Sequence, residues 1–194
     1  MALRREALAL AIFALLGLLA LYHPIIHMET HTVGVADVRV TDYYFFHWNF
    51  WWLRHALTTP DLAVYTTNYV MAPQMSSLAL HTLAAAWYPV WALAEPLVGT
   101  VAAMTLVFIV AYTLTGYLIF VFLRDAGVAT SLALIGGVLF QLLPIMQNSV
   151  GWTNVNLLGW FWIPLLLLTW KQIARKPQRR WRALMWAVLL GVSV

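Results

Sequence analysis

Val98-Gly-Thr-Val-Ala-Ala-Met-Thr-Leu-Val-Phe-Ile-Val-Ala-Tyr-Thr-Leu-Thr-Gly-Tyr-Leu-Ile-Phe-Val-Phe-Leu123 contains no charged side chain, and Arg124-Asp125 ends it. A helix needs about 20 apolar residues to cross a hydrocarbon core of about 30 Å, so this run is long enough to span. Two further runs follow, Ala126–Met146 with Gly136-Gly137 inside and Pro144 near its end, and Val150–Trp170. Lys171-Gln-Ile-Ala-Arg-Lys-Pro-Gln-Arg-Arg-Trp-Arg182 then carries the strongest concentration of positive charge in the chain. The whole composition agrees with this reading. Of 194 residues 63% are hydrophobic and 9% charged, against about 45–50% and about 25% in a soluble domain. Too few charges remain to coat a water-soluble particle, which excludes a soluble enzyme, a disordered chain and a nucleic-acid-binding domain. Cysteine is absent, so disulfides, Cys-based zinc sites and Cys nucleophiles are excluded as well.

The topology follows from counting. Arg4 and Arg5 precede an apolar run from Ala7 to Tyr22. That run is long for a signal peptide and lacks a small-x-small cleavage site, so it reads as a retained helix. With Arg4 and Arg5 cytoplasmic, four crossings place Lys171–Arg182 inside, as the positive-inside rule requires, whereas five would place it outside. Ser76–Pro96, with His81, Pro89 and Glu95, is then the apolar stretch that does not cross, because ionisable groups are costly within a bilayer. The sequence therefore predicts an all-α membrane protein: a polytopic transmembrane helix bundle with interfacial helices in a long first external loop. Its helices fall at about 7–26, 98–123, 128–146 and 152–170, with the external loop at about 27–97. A last run, 183–194, rises only about 18 Å, so residues 1–194 read as the N-terminal fragment of a larger polytopic protein.

Chemistry is expected on the outer face, where the polar residues gather. Thr41-Asp-Tyr-Tyr-Phe-Phe-His-Trp-Asn-Phe-Trp-Trp-Leu-Arg-His55 is the sharpest feature. Thr41 or Asp42 suits an N-cap, and Thr58-Thr59-Pro60 suits a stop. At about 100° per residue Asp42, Phe46, Asn49 and Leu53 share one face, with His47 and Arg54 on another. A helix with Trp and Tyr nearly all round fits the membrane–water interface. Asp42 reads either as a simple cap or as a carboxylate at the lip of the bilayer, able to act as general base or metal ligand, and Asp37 could share the role. His81 reads as a satisfied helix histidine or as a group facing a substrate cleft. Asn154 and Asn156, in the short external turn 147–156, read as loop punctuation or as facing the same cleft. His23, His27 and His31 are spaced by four, but Pro24 and the β-rich segment after His31 argue against a helical metal site.

These features resemble the start of a GT-C superfamily membrane glycosyltransferase. The likeness lies in Asp42-Tyr-Tyr-Phe-Phe-His-Trp-Asn-Phe-Trp-Trp-Leu-Arg-His-Ala-Leu57, in Pro73 leading to Ser77-Leu-Ala-Leu-His-Thr82, in Tyr117-Leu-Ile-Phe-Val-Phe-Leu-Arg124, and in Asn154-Val-Asn-Leu-Leu-Gly-Trp-Phe-Trp-Ile-Pro164. The resemblance implies transfer of a sugar from a polyprenyl-phosphate-linked donor to an acceptor on the outer face of a prokaryotic cell membrane. It implies Asp42, with Asp37 second, as catalytic base or as ligand of a divalent cation (Mg or Mn). His47, Asn49, Arg54, His81, Asn154 and Asn156 are the implied substrate-binding residues, and a lipid-linked sugar donor and membrane lipids the implied partners. The chain departs from the family at two places: Thr41 stands where many members have a second acid, and Asn154 and Asn156 occupy a turn that often carries one. A transporter, flippase-like component or non-catalytic membrane scaffold is the alternative, although the runs 98–123, 128–146 and 152–170 contain no Asp, Glu, Lys, Arg or His.

Overall fold

The computed structural model describes residues 2–34 and 42–175, together with Trp181, Leu184 and Val188. Asp37 lies outside the described residues, as does most of the run 183–194. Helices make up most of the chain. In order they are α1 (Ala2–Ala20), α2 (Tyr22–Ile26), α3 (Tyr43–Thr58), α4 (Tyr88–Val98), α5 (Thr100–Asp125), α6 (Thr130–Gln141), α7 (Pro144–Gly151) and α8 (Trp162–Arg175). Short 3-10 stretches at Ala85–Trp87 and Val155–Phe161 lead into α4 and α8. Two helical stretches, α5 and the consecutive pair α6–α7 (Thr130–Gly151), are long and apolar enough to cross a membrane.

The charge-free run coincides with α5, which at 26 residues rises about 39 Å. Most large elements lean on it: α1, α4, α6, α8 and the 3-10 stretch before α8 pack against α5, while α3 packs on α4. Its inner face is small and close-fitting, with Ala103, Met104, Val107, Phe108, Ala111 and Tyr112 fully buried. Glycines let the helices approach. A Cβ on Gly137 would sit 2.5 Å from Phe13 Cζ of α1 and 2.7 Å from the Gly116 carbonyl oxygen of α5. Small residues at such crossings are what a helix pair without a hydrophobic driving force requires. The buried Gln141 amide donates to the Phe13 carbonyl at 2.9 Å, joining α6 to α1 where they meet α5.

Three local features differ from the sequence expectation. The run 128–146 forms two helices, because Pro144 lacks an N–H and starts α7 afresh after a break at Leu142-Leu143. The run 152–170 begins as a turn and a 3-10 stretch, so that α8 starts only at Trp162 and extends to Arg175. The chain is also not purely helical. Thr66–Met71 (β1) and Gln74–Ser77 (β2) pair as an antiparallel hairpin between α3 and α4. Its β-branched Thr-Thr and its Pro73-containing turn favour strands over a helix. Residues 76–96 accordingly divide among β2, a loop, a 3-10 turn and part of α4, an 11-residue helix of about 16 Å.

The crossing of α1, α5 and α6 predicts an asymmetric response to added methyl groups. Gly137→Ala should cost about 1–3 kcal/mol, since the Gly116 backbone cannot yield. Gly136→Ala should be near neutral, because its new Cβ would meet only the movable end of Leu123 and Ala is the better helix former. Thermal unfolding of both variants in lipid nanodiscs checks the contrast.

Candidate functional site at the loop end

Polar side chains at the end of the molecule formed by α3, the hairpin and the start of α4 fall into two cavities. The order begins with α3. Phe46, Asn49, Phe50, Trp52, Leu53 and Ala56 are buried along one stripe, which fixes which side chains face outward. Asp42 sits at the N-cap with no side-chain cap bond. Its backbone serves instead: the Asp42 N–H donates to the Trp152 carbonyl at 2.9 Å, and its own carbonyl accepts from the Phe46 N–H at 3.0 Å. The start of α3 is thereby tied to the turn after α7. The Asp42 side chain is exposed and lines neither cavity.

The first cavity, about 560 Å³, lies between the loop 79–87 and the segment 156–163. Tyr65, Trp87, Trp160 and Trp162 supply aromatic wall, and His81, Thr82 and Asn156 the polar positions. Behind the wall, Asn49 is completely buried. Its Nδ2 donates to the Thr82 carbonyl at 2.8 Å, and its Oδ1 lies 2.6 Å from His81 Nε2. These two bonds decide the chemistry of the imidazole. A carbonyl can only accept, so the amide nitrogen must face Thr82 and the amide oxygen must face His81. His81 therefore carries its proton on Nε2, and Nδ1 keeps its lone pair. Burial lowers the pKa of His81, which favours this neutral form. The rings of Phe45 and Trp48 hold the imidazole at centroid distances of 4.5 and 5.7 Å.

The second cavity, about 540 Å³, opens beside the exposed side of α3 and contains His47, Arg54, Glu95 and three tryptophans, Trp48, Trp51 and Trp91. Arg54 forms an ion pair with Glu95, donates to the Ala92 carbonyl at 3.2 Å and lies 4.7 Å above the Trp91 ring. The Glu95 carboxylate holds Arg54 more firmly protonated, and Arg54 in turn draws the Glu95 carboxyl below its ordinary range. His47 is half-buried against Tyr43, with ring centroids 4.1 Å apart and a buried Nε2 that has no partner among the described residues. Burial pushes His47 down to about 4.

The proposed site residues thus separate. His81 and Asn156 share the first cavity with Asn49 behind it, His47 and Arg54 share the second, and Asp42 and Asn154 line neither. Asn154 belongs to the turn bonded to Asp42, two residues beyond Trp152, and its N–H donates to the Ser149 carbonyl at 2.8 Å. Sequence reasoning missed the aromatic wall of the first cavity and the Glu95 partner of Arg54. A signal for the latter exists: Glu95 is the lone acid between Asp61 and Asp125, and such a group calls for a cation nearby. Among the described residues no three or more His, Asp or Glu gather as a metal group. A hard cation seeks several oxygen ligands, and among the described residues Asp42 brings a single exposed carboxylate without a second acid beside it. His23, His27 and His31 do line up, their rings 5.2 Å apart, but on the exposed surface. Two backbone strains accompany the site: Ala84, in the wall of the first cavity, and Thr153, in the turn beside Asp42, hold left-handed φ of 52° and 57°. Non-glycine residues adopt this conformation at a cost and tend to do so at functional sites. Set against known proteins, the chain matches no family model, no curated protein sequence and no solved structure.

The polar network and the buried imidazole each generate a prediction. Asn49→Leu preserves bulk but strands His81 Nε2–H and the Thr82 carbonyl, and should lower stability by about 2–3 kcal/mol in thermal unfolding. For His47 the folded pKa lies below the unfolded value of about 6.5. The unfolded chain therefore binds the proton first, and the stability present above pH 6.5 drains away as pH falls through about 4. His47→Phe should flatten the fall in Tm between pH 7 and pH 4.5 relative to the parent protein.

Proposed function

We propose that this chain belongs to a membrane glycosyltransferase that moves a sugar from a polyprenyl-phosphate-linked donor to an acceptor at the outer face of a prokaryotic membrane. The observation that carries the reading is the hydrogen bond from the Asp42 N–H to the Trp152 carbonyl. It brings the acid that opens the first long loop against the turn carrying Asn154 and Asn156, two regions 110 residues apart in sequence. Convergence of these two segments is what the GT-C resemblance implies for the reacting centre. An exposed carboxylate at that junction suits a base that meets its acceptor at the edge of the lipid.

Charge distribution supports the orientation. At the opposite end of α5, Tyr117 donates to Glu6 of α1 at 3.1 Å, and Lys171 of α8 donates to the Asp125 carbonyl at 2.7 Å. Arg4, Arg5, Arg124 and Lys171 thereby belong to one end of the helices, and the aromatic loop to the other. With the basic end cytoplasmic, the cavities face outward. In this polytopic bundle α3 lies along the outer interface, and Arg54 of the second cavity offsets negative charge on the departing phosphate.

Asp42→Asn in the full-length protein, assayed for transfer from polyprenyl-phosphate-linked sugars, tests the proposal. Loss of a general base should slow transfer by about 10²–10⁴-fold while thermal stability is retained. Parent-level activity in Asp42→Asn would remove Asp42 from the mechanism, and absence of transfer by the parent protein from any such donor would overturn the reading.

A further inference from the structure

A third cavity, of about 340 Å³, lies at the basic end of the molecule, between α1, α5 and α6. Leu8 and Ile12 of α1, Phe120 of α5 and Leu134 of α6 make its wall apolar, and Arg5 and Thr130 supply its polar positions. These residues are not mixed at random. On α1, Arg5, Leu8 and Ile12 climb successive turns of one face, about 10 Å in all. Arg5 and Thr130 share the cavity while Phe13 and Gly137 touch beyond it, so α1 and α6 run in the same direction. Arg5 and Thr130 therefore stand together at one mouth of a groove, and only apolar side chains lie deeper.

The cation at that mouth is unused. Arg5 is exposed and has no hydrogen-bond or ion-pair partner among the described residues. The two acids of this end are engaged elsewhere, Glu6 accepting from Tyr117 and Asp125 pairing with Lys171. With Arg4, Arg5 and Arg124 added, the end carries a positive surplus. An unpaired guanidinium at the lip of an apolar groove is complementary to a molecule with an anionic head and a hydrocarbon tail. A soluble anion would leave the groove unfilled, and a peptide would bring unsatisfied N–H and C=O groups into hydrocarbon. A zwitterionic headgroup would add an ammonium to an end already in positive excess.

We propose that this groove binds one anionic phospholipid of the leaflet at the basic end, its phosphate on Arg5 with the Thr130 hydroxyl as a second donor, and an acyl chain along Leu8, Ile12, Phe120 and Leu134. The lipid fills the side of the crossing at which α1 and α6 meet α5, and so stabilises the folded bundle by mass action. The site is separate from the loop-end cavities, which lie at the other end of α5.

The test uses the full-length protein in a non-ionic detergent, titrated with dioleoylphosphatidylglycerol or dioleoylphosphatidylcholine, with bound lipid counted by native mass spectrometry. The two probes share their chains and differ in net charge. Phosphatidylglycerol should bind about five- to tenfold more tightly than phosphatidylcholine and should raise Tm. Soluble glycerol 3-phosphate should not displace it. Arg5→Gln should abolish the preference between the two lipids, and Arg5→Lys should keep most of it. Arg4→Gln removes a neighbouring charge that does not line the groove, and should leave the preference within about twofold of the parent. Leu134→Trp, which fills the groove, should weaken both lipids about tenfold, with thermal unfolding confirming that each variant is folded. Equal binding of the two lipids by the parent protein overturns the proposal. So do equal losses in Arg4→Gln and Arg5→Gln, which would mark diffuse attraction to a basic surface, and displacement by glycerol 3-phosphate, which would mark a site for free phosphate. Parent-level binding by a folded Leu134→Trp would show that the acyl chain lies elsewhere and refutes the site. None of these outcomes bears on the sugar-transfer reading, whose residues lie at the loop end and are assayed separately.

Discussion

No side chain from Thr100 to Leu123 carries a charge, so α5 must find apolar surroundings along its whole length. That requirement organises the molecule. One flank of the helix is satisfied by α1 and α6, which approach closely because Gly116 and Gly137 leave room for Phe13. Another is satisfied by α4 and the 3-10 stretch before α8, whose tryptophans and phenylalanines continue the same apolar core out to the loops. The aromatic helix α3 contributes Phe46, Phe50 and Trp52 to that core. The loop-end cavities are consequently not loose surface features. They are the margin of a core that begins on α5.

Where the apolar core meets polar loops, Asn49 carries the transition. A completely buried amide must find partners on both its sides, and it finds a backbone carbonyl and an imidazole. Each bond constrains the other: the carbonyl fixes the amide, the amide fixes the tautomer. Arg54 makes a parallel arrangement on the other side of α3, where ion pair, backbone carbonyl and indole face share one guanidinium. Partly buried, this pair holds a cation at a defined place beside the cavity.

Much of this was legible in the sequence because it depended on composition and period. The charge-free run marks α5, the cap-and-stop pattern marks α3 from Tyr43 to Thr58, and the 3.6-residue period puts Phe46, Asn49 and Leu53 on one buried stripe with His47 and Arg54 off it. What was not legible depended on contacts across long separations. No local pattern says that Asn49 meets His81 or that Arg54 meets Glu95, since these pairs are joined only once the hairpin has folded back over α3. The hairpin itself was hidden because Thr66–Ser77 contains neither a strict alternation nor an Asn-Gly turn. The late start of α8 was hidden for a related reason: Val155–Phe161 is apolar enough for a helix, and its tighter 3-10 path reflects packing against α5.

The close approach around Phe13 also constrains how such a sequence can drift. One phenyl ring on α1 fills the space opened by Gly116 on α5 and Gly137 on α6. Any lineage that enlarges either small residue must trim the ring in the same period, or accept an ill-fitting bundle until it does. Exchange of single amino acids at these positions is therefore blocked in a way that paired exchange is not. Residues 13, 116 and 137 are expected to change as a unit among descendants of this chain.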